Sequence, residues 1–251
     1  MARFIAVANQ KGGVGKTTTA VNLCASIALA GRTCLLIDLD PQGNATTGLG
    51  IEKRSRRGTH LLLSAPHRAK EAIVQTQCKG LDMIPSGPGL ADAEPRHGSI
   101  ADRALRLRAS KPELTTLYDY VFVDCPPSVG FFPANALSCC DSVLIPIQCE
   151  YYAMEGLAQI LSRIRSAKTR FNPQLEVEGI LLTMYESSAF SSEVVEEVRT
   201  HFEDLVYETI IPRNIALAEA PSHGQAILDY DHRSRGARAY LELAKEVLNN
   251  G

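Results

Sequence analysis

The sequence has no long hydrophobic run. No apolar stretch approaches the roughly 18 residues that a helix needs to cross a bilayer. The N-terminus offers only the short apolar stretch 4–8 after a single Arg3, which is too little for a secretory signal peptide. We therefore expect a cytoplasmic protein.

Paired cysteines are also absent. The seven cysteines are odd in number and include no C-x-x-C motif, so neither a disulfide framework nor a zinc or iron–sulfur site is indicated. The six histidines show no metal-ligand spacing either. We expect reduced and mostly buried thiols.

The chain has little net charge. Its 26 Lys and Arg residues stand against 28 Asp and Glu residues, giving a formal charge of −2. Such an average does not indicate nucleic-acid binding, so any DNA contact must come from a local basic patch. With 251 residues, 45% of them hydrophobic, we expect one α/β domain over 1–251. The first apolar stretch begins at residue 4, and we expect no additional N-terminal helix-turn-helix.

The most informative stretch is 9–19, which reads NQKGGVGKTTT. It follows the apolar residues 4–8 and leads into residues with helical spacing, so its context is strand, glycine loop and helix. Gly15-Lys16-Thr17 matches the end of the phosphate-loop pattern G-x-x-x-x-G-K-[ST]. In that loop backbone N–H groups surround phosphate, a lysine neutralises it and a hydroxyl reaches Mg²⁺. The expected phosphate-binding residues are Lys11, Gly12, Gly13, Val14, Gly15, Lys16, Thr17 and Thr18.

The loop departs from the standard motif by carrying two lysines. Gln10 takes the place of the first glycine, which makes this a deviant Walker A motif. Lys16 lies in the first helical turn, where free N–H groups and the helix dipole favour an anion. Lys11 precedes Gly12 and Gly13, which allow another backbone to approach closely. Lys11 could therefore reach a neighbouring subunit's phosphates; the alternative is a solvated charge on a glycine turn.

Two predicted strands end in acids. Residues 33–37 indicate a buried parallel strand that delivers Asp38 and Asp40 at its carboxyl end, the edge where the phosphate loop also lies. Asp40 either starts a turn or orients an attacking or Mg²⁺-bound water. Residues 120–123 indicate a second strand, and Asp124 at its end is placed near the metal.

The rest of the chain alternates short apolar runs with amphipathic segments. Further strands are predicted at 81–85, 141–147, 177–184 and 206–211, and helices at 103–108, 151–171, 193–202 and 236–250. This alternation predicts an α/β fold with a mostly parallel twisted sheet and helices on both faces. The last helix lacks the basic polar face of a membrane-surface anchor, so no membrane partner is expected.

Four motifs in order along essentially the whole chain carry a family resemblance. They are KGGVGKTT, DLDPQGNATTGLG from Asp38, YDYVFVDCPPS from Tyr118, and IPRN with EAPSHG from Ile211. Together they closely resemble the ParA/Soj group of DNA-partition ATPases, which are P-loop NTPases. The resemblance implies an ATP-dependent homodimer that uses Mg²⁺ and hydrolyses ATP slowly to ADP and phosphate. It also implies non-specific DNA binding on the nucleoid and stimulation by a ParB/Spo0J-type centromere-binding protein.

The resemblance also implies roles for individual residues. Lys11 would reach across the dimer to the other subunit's nucleotide, Lys16 would bind phosphates, and Asp40 would position the water for hydrolysis. The remaining implied contacts are Pro212 and Asn214 at the adenine and Thr17 and Asp124 at Mg²⁺.

The chain departs from this group where DNA contacts are expected. Positions that are commonly basic in the group hold Ser187, Ser188 and Ala216 here, and each missing cation should reduce DNA affinity and flatten its salt dependence. The candidates for a replacement patch are Lys53, Arg54, Arg56, Arg57, Arg199, Arg213, Arg233, Arg235 and Arg238. A second interpretation keeps the ATPase and makes the cargo a protein assembly. A metallocluster carrier on the same fold would need paired cysteines, and a scaffold without hydrolysis would not need Asp40.

Overall fold

A seven-stranded sheet forms the centre of the computed structural model, which describes residues 2–53, 57–94 and 99–250. The strands are β1 Arg3–Val7, β2 Cys34–Asp38, β3 Val74–Gln75, β4 Leu81–Ile84, β5 Tyr120–Asp124, β6 Ser142–Gln148 and β7 Glu176–Thr183. Their order is β3-β4-β2-β5-β1-β6-β7. All neighbours pair in parallel except β3 with β4.

Helices connect these strands. They are α1 Lys16–Leu29, α2 Asn44–Gly48, α3 Thr59–Ser64, α4 Ile100–Ala104, α5 Lys111–Thr115, α6 Phe131–Cys139, α7 Ala153–Arg170, α8 Ala189–Phe202, α9 Ile215–Glu219, α10 Ile227–Asp231 and α11 Arg235–Asn249. Short 3₁₀ turns cover Pro66–Ala72, Leu107–Ser110, Glu203–Leu205 and Ala220–His223. Within the described ranges, the helices are too short or too polar for any of them to span a bilayer.

The sheet is covered on both faces. Phe4 and Ala6 of β1 point into one core cluster, with α6 and α7, whereas Ile5 and Val7 point into the other, with α1 and α11. Burial on both sides explains why the strands read as continuous apolar runs. The predicted fold class, a mostly parallel sheet with helices on both faces, is confirmed.

Three strand ends meet at one edge of the sheet. In the parallel register Val7 of β1 pairs with Asp124 of β5, and Asp124 pairs with Asp38 of β2. After β1 the chain continues to β2 on one side of β1 in the sheet. After β5 it passes β1 and continues to β6 on the other side, so the direction of winding reverses here. In open α/β sheets the crevice at such a reversal is where ligands bind.

The predicted strand at 206–211 is wrong. Only isolated bridges form there, between Ile180 and Val206 and between Tyr185 and Pro212. The backbone N–H groups of Glu208 and Thr209 turn away and donate to the Glu246 carboxylate of α11 at 2.9 and 2.8 Å. This competing side-chain acceptor prevents a continuous ladder.

The helix predicted at 103–108 is interrupted. α4 ends at Ala104, and Leu107 is fully buried instead of lying on a surface helix. The side chain of Asn135 on α6 accepts from Leu107 N at 3.0 Å and donates to Arg103 O at 2.9 Å. These bonds replace the helical ones, and the sequence pattern alone does not show them.

Gly179 in β7 provides a test of this packing. A Cβ at this position would lie 2.5 Å from Cε2 of Tyr207, whose side chain is buried. We expect Gly179→Ala to lower the free energy of unfolding by about 1–3 kcal/mol, because the ring must be displaced in a packed core. Urea denaturation measures this loss.

Gly156 on α7 is the matched control. A Cβ there meets nothing within 4 Å, so Gly156→Ala should be neutral or stabilise the helix by up to about 1 kcal/mol. Equal stability of the two variants would contradict the packing described around Tyr207.

Candidate nucleotide-binding site

The phosphate loop between β1 and α1 is held by hydrogen bonds from both of its sides. Asn9 Nδ2 donates to Pro146 O of β6 at 2.8 Å, and Asn9 Oδ1 accepts from Lys11 N at 3.0 Å. Thr183 Oγ1 at the end of β7 donates to Val14 O at 3.0 Å. Sequence analysis did not assign Asn9 or Thr183. These contacts within the protein therefore fix the shape of the loop.

Two glycines make that shape possible. Gly13 and Gly15 have φ values of 77° and 84°, in the left-handed region that other residues rarely adopt. The N–H groups of the first turn of α1 follow directly, and free N–H groups at a helix start favour an anion. The loop geometry predicted from the sequence is present.

Lys16 is buried at the base of this loop. The residue is only 6% exposed, and its Nζ donates to Lys11 O at 2.7 Å. Burial lowers the pKa of Lys16, whereas the nearby charges of Asp124, Cys125 and Asp40 raise it. A buried ammonium group beside free backbone N–H groups fits a phosphate, which would supply the counter-charge.

Asp124 lies at the end of β5 with no exposed surface. Both of its carboxylate oxygens lack a hydrogen-bond partner of standard geometry among the described residues. Burial raises its pKa well above the usual range and nearby Asp38 adds to this, whereas the Thr17 hydroxyl opposes it. Buried carboxylate oxygens without partners are costly, and a divalent cation fits them. Asp124 and Thr17 could hold Mg²⁺ here.

Asp38 anchors the loop that follows β2. Its carboxylate accepts from Asp40 N at 3.1 Å and from both the backbone and the hydroxyl of Thr46, at 2.8 and 2.6 Å. Burial raises the pKa of Asp38 to about 6, and the Thr46 hydrogen bonds oppose this shift. Sequence analysis placed Asp38 at the strand end but gave it no role. Its geometry fixes the position of Asp40.

Asp40 is nearly buried, and of the two roles considered from the sequence the structure shows the turn. Its Oδ1 accepts from Gln42 N at 2.8 Å, which is the predicted turn. Within the described ranges its Oδ2 has no hydrogen bond of standard geometry. One oxygen therefore fixes the turn, and the other is available to a water beside Lys16 and Asp124.

Lys11 is paired within its own chain. Its ammonium group forms an ion pair with Glu150, which follows β6, and lies 5.8 Å from the ring centroid of Tyr152. Tyr151 and Tyr152 are 76% and 60% exposed. The sequence left open a solvated charge or a contact with a second subunit, and its spacing gives no sign of this internal pair.

Pro212 and Asn214 line a cavity of about 400 Å³. The Asn214 Oδ1 atom is buried and has no hydrogen-bond partner among the described residues. An exocyclic amino group, such as that of adenine, would satisfy it. The remaining residues that line this cavity are Tyr185, Glu186, Ser187, Arg213, Ile215 and Arg235.

The candidate DNA contacts differ in what their side chains already contact; Lys53, for example, donates to the backbone oxygen of Gln42. Arg213 pairs with Glu186 at 2.5 Å and Arg199 with Glu208 at 3.7 Å, so their charges are already compensated. By contrast, three exposed arginines at or just before the start of α11 have no acidic partner within 4.0 Å in the described part of the chain: Arg233, Arg235 and Arg238. Arg54 and Arg56 lie outside the described residues.

Ser188, at one of the expected basic positions, has a structural role. Ser188 Oγ accepts from Ser191 N at 3.1 Å and caps α8. Ala216 lies in α9, partly buried against the core. These positions therefore provide no cation for DNA, and any DNA contact must use other residues.

One family model and several known proteins match this chain. A family model described as an AAA domain matches residues 2–177. The sporulation initiation inhibitor protein Soj from Bacillus subtilis is 49% identical over 253 residues, covering 100% of both chains. The chromosome partitioning protein ParA from Myxococcus xanthus is 48% identical, covering 98% of this chain and 88% of its own length. Among solved structures, cobyrinic acid a,c-diamide synthase from Mycobacterium smegmatis with bound ADP and magnesium has a TM-score of 0.85 and 35% identity, covering 100% of this chain and 95% of that one.

Proposed function

Because this chain belongs to the ParA/Soj family of chromosome partitioning proteins, we propose that it is a partition ATPase that binds Mg·ATP, dimerises on ATP and hydrolyses it slowly. The observation that carries this proposal is the buried ammonium group of Lys16, which donates to Lys11 O at 2.7 Å at the sheet edge where Asp124 and Asp40 are also buried. A cation and two acids beside the phosphate loop fit a nucleotide and its metal. The whole chain, 1–251, would act as one domain.

Each residue at this edge of the sheet has a proposed role. The N–H groups of Gly12 to Thr18 and the Lys16 ammonium group bind phosphates. Thr17 and Asp124 hold Mg²⁺, which neutralises phosphate charge when it is bound. Asp40 positions the attacking water through the oxygen that its turn leaves available. Pro212 and Asn214 contact the adenine.

The dimer depends on Lys11. The Lys11 ammonium group would enter the partner's site. There it would neutralise charge on the partner's triphosphate, which the partner's chain alone only partly surrounds. Leaving Glu150 costs an ion pair, and the new phosphate contact offsets that cost. Loss of the γ-phosphate would remove this contact, so the dimer should loosen after hydrolysis. Hydrolysis would therefore act as a timer for the dimer.

The proposed partners are DNA and a ParB/Spo0J-type protein. In this proposal the ATP dimer binds DNA non-specifically on the nucleoid, and the ParB/Spo0J-type protein stimulates turnover. The exposed arginines of α11 offer cations for the phosphate backbone, and dimerisation would double their number. Binding should therefore require ATP.

DNA affinity across a salt series tests this proposal. We expect ATP-loaded protein to bind duplex DNA at least about tenfold more tightly than ADP-loaded protein, because pairing doubles the number of cations that face the DNA. Arg238→Ala, which does not line the adenine cavity, should weaken binding and reduce the salt slope by about 0.9 for each phosphate that the variant no longer neutralises. Arg68→Ala is the matched control, since Arg68 is exposed but paired with Glu71 at 2.7 Å. DNA binding that is independent of nucleotide would contradict the proposal.

Asn214→Ala tests the adenine contact. Removing the buried Oδ1 acceptor should weaken ATP binding about tenfold, because the variant cannot form one hydrogen bond to the base. Isothermal titration calorimetry with ATP and with GTP measures both affinity and base preference. The preference for ATP over GTP should fall together with the affinity. An unchanged preference would place the base elsewhere.

A protein cargo is the second candidate. The observation that favours it is the compensation of Arg213 by Glu186 and of Arg199 by Glu208, together with the serines at 187–188. If DNA binding fails while ATP-dependent dimerisation and hydrolysis are intact, the ATPase positions a protein assembly.

A further inference from the structure

A second cavity lies on the other face of the sheet from α1, between α6 and α7. It has a volume of about 330 Å³. Phe131 and Leu137 of α6 and Ile160 of α7 line its interior, and all three belong to the core cluster on that face. The cavity is therefore an apolar recess in the core on that face of the sheet, and its lining also includes Asn9 and Gln10 at the start of the phosphate loop.

Arginine side chains line the same cavity. Arg163 and Arg170 lie three and ten residues after Ile160 on α7, and this spacing puts all three on one stripe of the helix. Neither arginine has an acidic partner within 4.0 Å in the described ranges of the chain. The acid that lines the cavity there, Glu94, lies 3.5 Å from the guanidinium of Arg103. The cavity thus joins an apolar interior to uncompensated positive charge.

We propose that this cavity is a second ligand site that binds a small amphipathic anion. A carboxylate or sulfonate head would pair with the guanidinium group of Arg163 or Arg170, which suits planar bidentate contact. The apolar body would lie against Phe131, Leu137 and Ile160 and be removed from water. The volume is at the lower end of the range of small-molecule pockets, so it fits a small molecule and not a helix of a partner protein.

The site adjoins the nucleotide edge without sharing its ligands. Gln10 and Pro126 contribute to the lining, and they lie one residue before Lys11 and two after Asp124. An occupant would contact the segments that lead into the phosphate loop and out of β5. The phosphate-binding N–H groups and the Asp124 carboxylate are not part of the lining.

Fluorescence titration with 8-anilinonaphthalene-1-sulfonate tests this proposal on the whole chain. We expect saturable binding of one molecule per chain, competition by decanoate and no competition by decyltrimethylammonium at equal concentration. Competition by the cation as strong as by the anion would overturn the charge requirement. Displacement by ADP would place the probe in the nucleotide site and overturn the proposal. Because only binding is measured, the result is independent of the proposed ATPase activity.

Two variants locate the probe. Ala134→Phe fills the cavity from α6, and Arg163→Glu reverses a lining charge; each should raise the Kd of the probe at least tenfold. Arg165→Glu is the matched control, since Arg165 is exposed on the same helix but does not line the cavity, and its Kd should stay within about twofold. Circular dichroism checks that each variant is folded. Unchanged binding by folded Arg163→Glu, or an equal loss in the control, would overturn the assignment.

Discussion

Lys11→Ala should abolish ATP-dependent dimerisation while leaving ATP binding by the single chain within about threefold of the wild type. Truncating one partner of a desolvated charge pair costs about 2–5 kcal/mol, and a symmetric dimer contains two such pairs. The dimer should therefore weaken by more than about a hundredfold. Light scattering with ATP and with a slowly hydrolysed analogue measures the dimer, and calorimetry measures nucleotide binding.

The chain's own geometry explains why binding should be preserved. Lys16 Nζ donates to the backbone oxygen of Lys11 at 2.7 Å, and that oxygen remains after truncation to alanine. Lys245→Ala is a matched control, because Lys245 is an exposed lysine that pairs with Glu242 at 2.7 Å on α11. If Lys11→Ala dimerises at the same ATP concentrations as the wild type, Lys11 is not part of the dimer interface.

Asp40→Ala should reduce phosphate release at least about a hundredfold and cause the ATP-bound dimer to accumulate. A positioned acid or base that handles the attacking water contributes about 10²–10⁴ in rate. ATP binding should be intact, because Asp40 does not touch the backbone N–H groups of the phosphate loop. Single-turnover phosphate release and light scattering on the same sample measure both effects.

Asp40→Asn separates the two roles of this side chain. An amide oxygen can still accept from Gln42 N, so the turn is preserved, but the negative charge that orients water is removed. We expect Asp40→Asn to resemble Asp40→Ala in hydrolysis and the wild type in thermal stability. A normal rate in Asp40→Asn would show that the residue serves only its turn.

The fold and the phosphate loop could be predicted because both depend on local sequence. Continuous apolar runs mark strands that are buried on both faces, and Gly13 and Gly15 mark the left-handed turns of the loop. The edge that gathers Asp38, Asp40 and Asp124 follows from parallel strands whose carboxyl ends meet. None of these inferences needs a contact between distant residues.

The features that could not be predicted depend on distant side chains. The Glu246 carboxylate accepts hydrogen bonds from the backbone N–H groups of 208–209, which therefore do not join a strand ladder. The Asn135 side chain bonds the backbone beyond Ala104 and interrupts the helix there. The pairing of Lys11 with Glu150 joins residues far apart in the chain, so spacing gives no sign of it. Helix α6, with Pro133 inside it and little polarity on any face, was also missed, because the periodic pattern that marks amphipathic helices is absent.

The most direct test of the account is an atomic-resolution structure of Asp40→Ala with ATP and Mg²⁺. If Lys11 completes the partner's site, the structure is a dimer in which the Lys11 ammonium group has left Glu150 and lies about 3 Å from a phosphate oxygen of the nucleotide bound by the partner. A dimer in which Lys11 stays paired with Glu150 of its own chain would contradict it.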